Sequence, residues 1–173
     1  MGIFLGLLPD AEAVAILRDH PRPEIDGVRW EPDERLHVTV RYTATLHEDL
    51  IAQLDEVARE VALRSTAPVL ELGPTTEVLG RDGTLVVPAR GAEDLARLVD
   101  QVLDEFDVDL GPRDHPYFGH LTLARRRSGT SIPDALIGVP TVGLVRPMSL
   151  ALIVSEPGPD GSIYDHRLNA SFA

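Results

Sequence analysis

The chain has 173 residues, a length for one domain or two small lobes over a shared core; 43% are hydrophobic and 25% charged, and no apolar run approaches the ~20 residues of a membrane span. Its net charge of −12 excludes the broad basic surface of a protein that tracks long nucleic acids, while leaving room for a local basic pocket. With no cysteine, and with arginine as all sixteen of its basic residues, it excludes disulfides, thiolate nucleophiles, Cys-ligated zinc, Schiff-base or adenylated lysines and a lysine-bearing phosphate loop.

The opening IFLGLL has no basic residue before it, so it reads as a buried strand over residues 2–8 and not as a secretory leader. Pro9-Asp10 starts a short helix over 11–18, and the two prolines of 20–23 make a loop. Short strands are expected over 28–30 and 36–42. Thr45-Leu46-His47-Glu48 has the spacing of a capping box. It opens a helix with a stripe of Leu50, Leu54, Val57 and Val61, flanked by Ile51 and Ala58. Strands follow over 69–72, 76–79 and 84–88, with a turn at Arg81-Asp82-Gly83. A second amphipathic helix over 92–106 carries Leu95, Leu98, Val99, Val102 and Phe106 on one side. A polar loop, 107–116, leads to another strand, FGHLTLAR. A helical turn falls within 131–138, and a closing hairpin pairs 147–155 with 162–172 around Pro157-Gly158-Pro159-Asp160-Gly161. Strand hairpins outnumber strand–helix–strand units, so the class is α+β with antiparallel-rich sheets. The order strand, helix, strand, then helix, strands, strand suggests a weak internal duplication.

Two tetrapeptides repeat one pattern: His37-Val38-Thr39-Val40 and His120-Leu121-Thr122-Leu123. Side chains at i and i+2 share one face of a strand. Each run therefore offers His and Thr on one side and two aliphatic residues on the other. Two satisfied structural histidines are the competing explanation, and the repetition disfavours it. Two imidazoles and two hydroxyls facing one space suit the grip and acid–base cleavage of a phosphodiester: one neutral His takes a proton from water, and one protonated His gives a proton to the leaving oxygen. The hydroxyls donate to phosphate oxygens. Neither motif holds a carboxylate, which makes a metal site a poor fit. Strict alternation adds Arg41 and Arg126 to the His–Thr faces as phosphate ligands. His20 and His47 are expected to face solvent; His115 and His166 are assigned no role. Asp33-Glu34 and Asp104-Glu105 read as solvated charges.

These runs resemble the 2H phosphoesterase superfamily, and within it the RNA 2′,3′-cyclic phosphodiesterases, also called 2′-5′ RNA ligases. The likeness spans VRWEPDERLHVTVRY, FGHLTLARRR, and the tail with Ser155 and GSIYDHRL. Gly119 stands where the family often has Pro, and Tyr42 where it has Phe. The resemblance implies two pseudo-symmetric lobes with outer helices around a central cleft, each lobe donating one His-x-Thr-x strand. It implies catalysis by His37 as proton donor and His120 as proton acceptor, with Thr39 and Thr122, and it needs no metal and no cofactor. The family repeats Arg at the positions of Arg125 and Arg127; a bulge or strand end after the motif would reconcile that with alternation, so Arg125 joins Arg126 and Arg41 as a substrate-binding candidate. Tyr42 matches an aromatic that stacks on a base in some members; a core aromatic is its other reading. The implied partners are RNA 3′ ends or small nucleotide cyclic phosphates, handled by a monomeric cytoplasmic enzyme that leaves a 2′-phosphate and, in reverse, makes a 2′-5′ linkage without ATP. Another small phosphodiester, such as a 2′-5′ oligonucleotide or an ADP-ribose cyclic phosphate, is the enzymatic alternative, and a catalytically silent RNA-end-binding module the other.

Overall fold

The two motif strands meet at the middle of one antiparallel sheet. In the computed structural model, which describes residues 1–80, 83–127, 129–159 and 161–173, the elements in chain order are β1 (Gly2–Leu7), α1 (Ala11–Arg18), β2 (Val28–Trp30), β3 (Val38–Thr43), α2 (Glu48–Arg64), β4 (Leu70–Leu72), β5 (Glu77–Leu79), β6 (Thr84–Arg90), α3 (Glu93–Glu105), β7 (His120–Arg126), β8 (Gly143–Val145), β9 (Ser149–Gly158) and β10 (Gly161–Ser171). The sheet runs β10-β9-β1-β3-β7-β6-β4-β8, with β2 paired to β7 and β5 to β6. The expected α+β class and its strand-rich hairpins are present. Arg81 and Asp82 of the expected turn at Arg81-Asp82-Gly83, and Asp160 of the closing hairpin's turn, lie outside the described residues.

β3 and β7 touch through a single register pair, Val38 opposite Leu121. Both side chains are fully buried and belong to the main core. That core joins the apolar stripes of α2 (Leu50, Leu54, Val57, Val61) and α3 (Leu95, Val99, Val102) to the inner residues of the strands. α2 packs on β9 and β10, α3 packs on β3, and the two helices pack on each other. The aliphatic positions of both motifs point into this core, so the His and Thr positions between them must point out of the opposite face.

Two local readings are corrected. The cap of α2 is His47, whose Nδ1 accepts from Leu50 N at 3.1 Å. Thr45 is instead held in the preceding turn, where its N–H donates to Thr43 Oγ1 at 3.2 Å, so the helix begins after it. His20 is buried: its Nδ1–H donates to Pro21 O at 3.0 Å, and its ring lies 6.1 Å from that of Trp30. Residues 131–138 hold a 3₁₀ turn, Asp134–Leu136, and β8 has no counterpart among the expected strands. No helix among the described residues is long and apolar enough to cross a membrane.

Because Leu121 fills the junction of the two halves, Leu121→Ala should cost about 2–5 kcal/mol of unfolding free energy, read from the midpoint of a urea titration.

Candidate active site

Each motif strand carries one extra residue at the same place. In β3, Arg41 pairs with Leu5 and Thr39 with Gly6, so Val40 has no partner. In β7, Ala124 pairs with Leu85 and Thr122 with Val86, so Leu123 has none. These are β-bulges, and a bulge reverses the alternation beyond it. Val40 and Arg41 are consecutively buried, as are Leu123 and Ala124. The residue that rejoins the His–Thr face is therefore the fifth after each histidine: Tyr42 in one strand, Arg125 in the other. Antiparallel register about Val38 and Leu121 also sets His37 toward Thr122 and Thr39 toward His120.

The two imidazoles are locked alike. His37 Nδ1 lies 2.7 Å from Arg35 O, and His120 Nδ1 lies 2.8 Å from Phe118 O. A carbonyl only accepts, so each Nδ1 carries the proton and each neutral ring presents a bare Nε2. Their surroundings differ. His37 stacks on Phe4 (centroids 4.6 Å apart) and receives the edge of Tyr164 (5.3 Å). Phe4, Ala151 and Ile153 form a small second apolar cluster, with Tyr164 packed on it, that floors this half of the site. His120 stacks on Phe118 (5.7 Å), itself 44% exposed. Burial holds His37 down at about 4, against the raising effect of the Arg35 carbonyl, with Arg125 and His120 lowering it further and Glu31 opposing them. Burial also lowers His120, the Phe118 carbonyl opposing and Arg125 assisting. The ligand-free pair is thus neutral at pH 7, and the negative charge of a bound phosphate is what would favour a proton on one of them.

A cleft of about 500 Å³ opens beside His37. Thr39, Tyr42, Arg125, Arg29, Ser155 and Tyr164 line it, and the β9–β10 hairpin forms its far wall. His120 and Thr122, half-buried on β7 across the register from Thr39 and His37, are not among the residues that line it. Tyr42 is 52% exposed rather than a core aromatic, and its ring lies over Gly2, where a Cβ would come within 2.6 Å of it. Arg125 donates through Nε to Glu31 Oε1 at 2.9 Å. Glu31 is buried and also faces Arg29 at 3.7 Å and Arg35 at 3.9 Å.

Arg41 and Arg126 are corrections to strict alternation, and the bulges are the reason. Arg41 faces the helices: it donates to Gly111 O and lies 3.6 Å from Asp100. It lines a separate cavity of about 460 Å³ with Asp100, Asp104, Asp107 and Asp109, away from the imidazoles. There Arg113 pairs with Asp100 (2.6 and 3.0 Å) and donates to the carbonyl of the bulged Val40 at 2.8 Å, which pins the bulge. Arg126 crosses to the other side, against Gly83, and donates to Thr130 O at 3.1 Å. His115 and His166 are exposed. Among the described residues no group of three or more His, Asp or Glu is placed to hold a metal ion. Glu31, Arg29, Phe4 and Tyr164 were not assigned to the site from sequence. The available signals were Arg29 within VRWEPDERLHVTVRY and Tyr164 within GSIYDHRL.

Residues 11–139 match the family model of the 2′-5′ RNA ligase superfamily. Among solved structures the chain is similar to TT0787 of Thermus thermophilus, with a TM-score of 0.79 and 23% identity over 99% of this chain and 98% of that one. It is similar to E. coli LigT in apo form, with a TM-score of 0.68 and 18% identity over 99% and 96%. The MHV ns2 PDE domain gives a TM-score of 0.61 and 13% identity over 96% and 99%. At these identities the likeness is one of fold. No curated protein sequence matches the chain.

The lowered histidines make stability depend on pH with a definite sign. The unfolded chain binds protons near pH ~6.5 and the folded one does not until lower pH, so stability should fall as pH drops through that window. His37, lowered from 6.5 to about 4, should contribute at most about 3 kcal/mol of that loss. His20 and His120 act in the same direction. Urea titrations between pH 7 and 4 should show the slope, and His37→Asn should flatten it; an unchanged slope in the variant would contradict the burial of the ring.

Proposed function

The chain belongs to the 2′-5′ RNA ligase superfamily, and from that premise we propose that it hydrolyses the 2′,3′-cyclic phosphate ends of RNA or of small nucleotides to 2′-phosphates without a metal ion. One observation carries the reading: both His-x-Thr-x motifs lock the imidazole by the same backbone contact, leave Nε2 bare, and face each other across the β3–β7 register. The family places this in phosphodiester chemistry. That E. coli LigT is solved with 3′-AMP, with ATP and with phosphate supports a ligand of nucleotide size.

The steps follow from the groups present. Water attacks phosphorus, and His120 Nε2 takes its proton. The bond from phosphorus to O3′ breaks, and His37, protonated when the anionic substrate is bound, gives its proton to O3′ through Nε2. The phosphate stays on O2′. Thr39 and Thr122 donate to the nonbridging oxygens, and Arg125, whose charge is felt by both imidazoles, balances the charge that builds there. Tyr42 offers a ring face at the mouth of the cleft for a base. With the 5′-hydroxyl of another strand in place of water, the same groups would open the cyclic phosphate to a 2′-5′ linkage: His120 takes the hydroxyl proton, the bond from phosphorus to O3′ breaks, and His37 protonates O3′. The proposal keeps the enzyme monomeric and cytoplasmic.

Purified protein in EDTA should hydrolyse adenosine 2′,3′-cyclic phosphate; loss of activity restored by a divalent ion would overturn the mechanism. His37→Ala and His120→Ala should each lower kcat by about 10²–10⁴-fold, the usual share of one proton transfer, while product binding changes by less than about tenfold. Thr39→Ala and Thr122→Ala should each cost about 1–3 kcal/mol in kcat/KM. A histidine variant with near-normal turnover would move the reading to a binding module.

The pH profile has a sign as well. Burial lowers both histidines of the free protein below their ordinary value. A plot of kcat/KM against pH, which reports free-enzyme groups, should therefore be bell-shaped with its maximum below pH ~6.5 and should fall as pH rises beyond it. Its two apparent constants belong to the coupled pair. A flat profile from pH 5 to 9 would contradict one acid and one base acting together.

A further inference from the structure

Beyond the cluster at the imidazoles, the cleft holds a second cationic position. Arg125 lies on the His–Thr face of β7 and lines the cleft with His37 and Thr39. Arg29 is the cross-strand partner of Arg125 on β2, and its guanidinium lies against the tip of the β9–β10 hairpin: a Cβ at Gly161 would lie 2.5 Å from Arg29 Nη1. Both arginines line the cleft, and none of the described residues lining it is acidic. Buried Glu31 is the shared counter-charge, and its short contact goes to Arg125 at 2.9 Å; Arg29 is left at 3.7 Å. Arg29 Nε is buried without a hydrogen-bond partner among the described residues. A guanidinium held in place by a glycine tip, weakly compensated and open on its cleft side, is built to receive a second anion.

We infer that Arg29 is a subsite for the 5′-phosphate of the nucleotide whose 2′,3′-cyclic phosphate lies between the imidazoles. The inference rests on the cyclic phosphodiesterase reading above and narrows it. The 5′-phosphate is the next anion along a ribonucleotide from its cyclic end. In RNA it is the diester that joins the terminal nucleotide to the chain, and in a free nucleotide it is a monoester. Both offer oxygens for a guanidinium fork. A bare nucleoside cyclic phosphate has no such group and leaves Arg29 unused.

The test compares kcat/KM for three compounds: adenosine 2′,3′-cyclic phosphate, its 5′-phosphorylated form, and the dinucleotide ApA ending in a 2′,3′-cyclic phosphate. The wild-type protein should prefer both phosphate-bearing compounds over the bare one by about tenfold or more, the scale of a charge-assisted hydrogen-bond pair. Arg29→Gln should collapse that ratio toward unity. Arg29→Lys, which keeps the charge and loses the fork, should hold an intermediate ratio. Preference for the dinucleotide alone would show recognition of its extra nucleoside and overturn the subsite. So would a wild-type ratio near unity, which needs no variant, or a ratio that survives Arg29→Gln. Hydrolysis of none of the three would instead overturn the cyclic phosphodiesterase reading itself. Preference for the monoester but not the dinucleotide would assign the subsite to free nucleotides and overturn its use on RNA ends.

Discussion

The site depends on one extra residue in each of two strands. A flat strand with period two would carry His37, Thr39 and Arg41 on one face, and His120, Thr122 and Ala124 likewise. Inserting Val40 and Leu123 unpaired turns the strands so that Tyr42 and Arg125 complete the two faces instead. One half of the site thus ends in an aromatic ring and the other in a guanidinium. Two related frames, each with the same histidine and threonine, thus end in different neighbours: a flat ring on one side and charge on the other. The Arg113 contact to Val40 O shows how such a bulge is kept, since its unpaired backbone group needs a partner.

The asymmetry of the histidines has the same origin. β1 and the hairpin place Phe4 and Tyr164 around His37, whereas His120 meets Phe118 from its own loop. The first imidazole is the more enclosed, and its proton becomes favourable only with an anion beside it. Under the proposed mechanism, such an acid charges only when the substrate arrives and stays neutral in the free protein. Glu31 links this half to the arginines, pulling Arg125 inward while raising the proton affinity of His37.

Much of this was legible in the order of residues. The helices followed their 3.6-residue stripes, because Leu50, Leu54, Val57 and Val61 had no other way to be buried together. The paired motifs were legible because His and Thr at i and i+2 contradict what a buried strand face needs. The arginines were misassigned where a rule of local geometry gave way to tertiary structure. Nothing in VTVRY or LTLARR marks an unpaired residue; the bulge exists because β1 and β6 are one residue short opposite it. Glu31 was opaque for a similar reason. It reads as one more acid in an acidic chain, and only the fold brings Arg29 and Arg125 to it from positions 2 and 94 residues away. His20 shows the limit of guessing exposure from a loop, since its ring is buried, whereas His47 at the helix start is exposed as expected.

The contact that orients each imidazole comes from the main chain, two residues before the histidine. No substitution at that place, other than one that moves the backbone, can remove the carbonyl. The side chains there are correspondingly unalike: an arginine at 35 and a phenylalanine at 118. Many histidine enzymes assign this task to an aspartate, and a single mutation abolishes it. Here the tautomer is inherited with the strand rather than with a residue, so the positions flanking each motif can drift while both rings keep Nε2 bare.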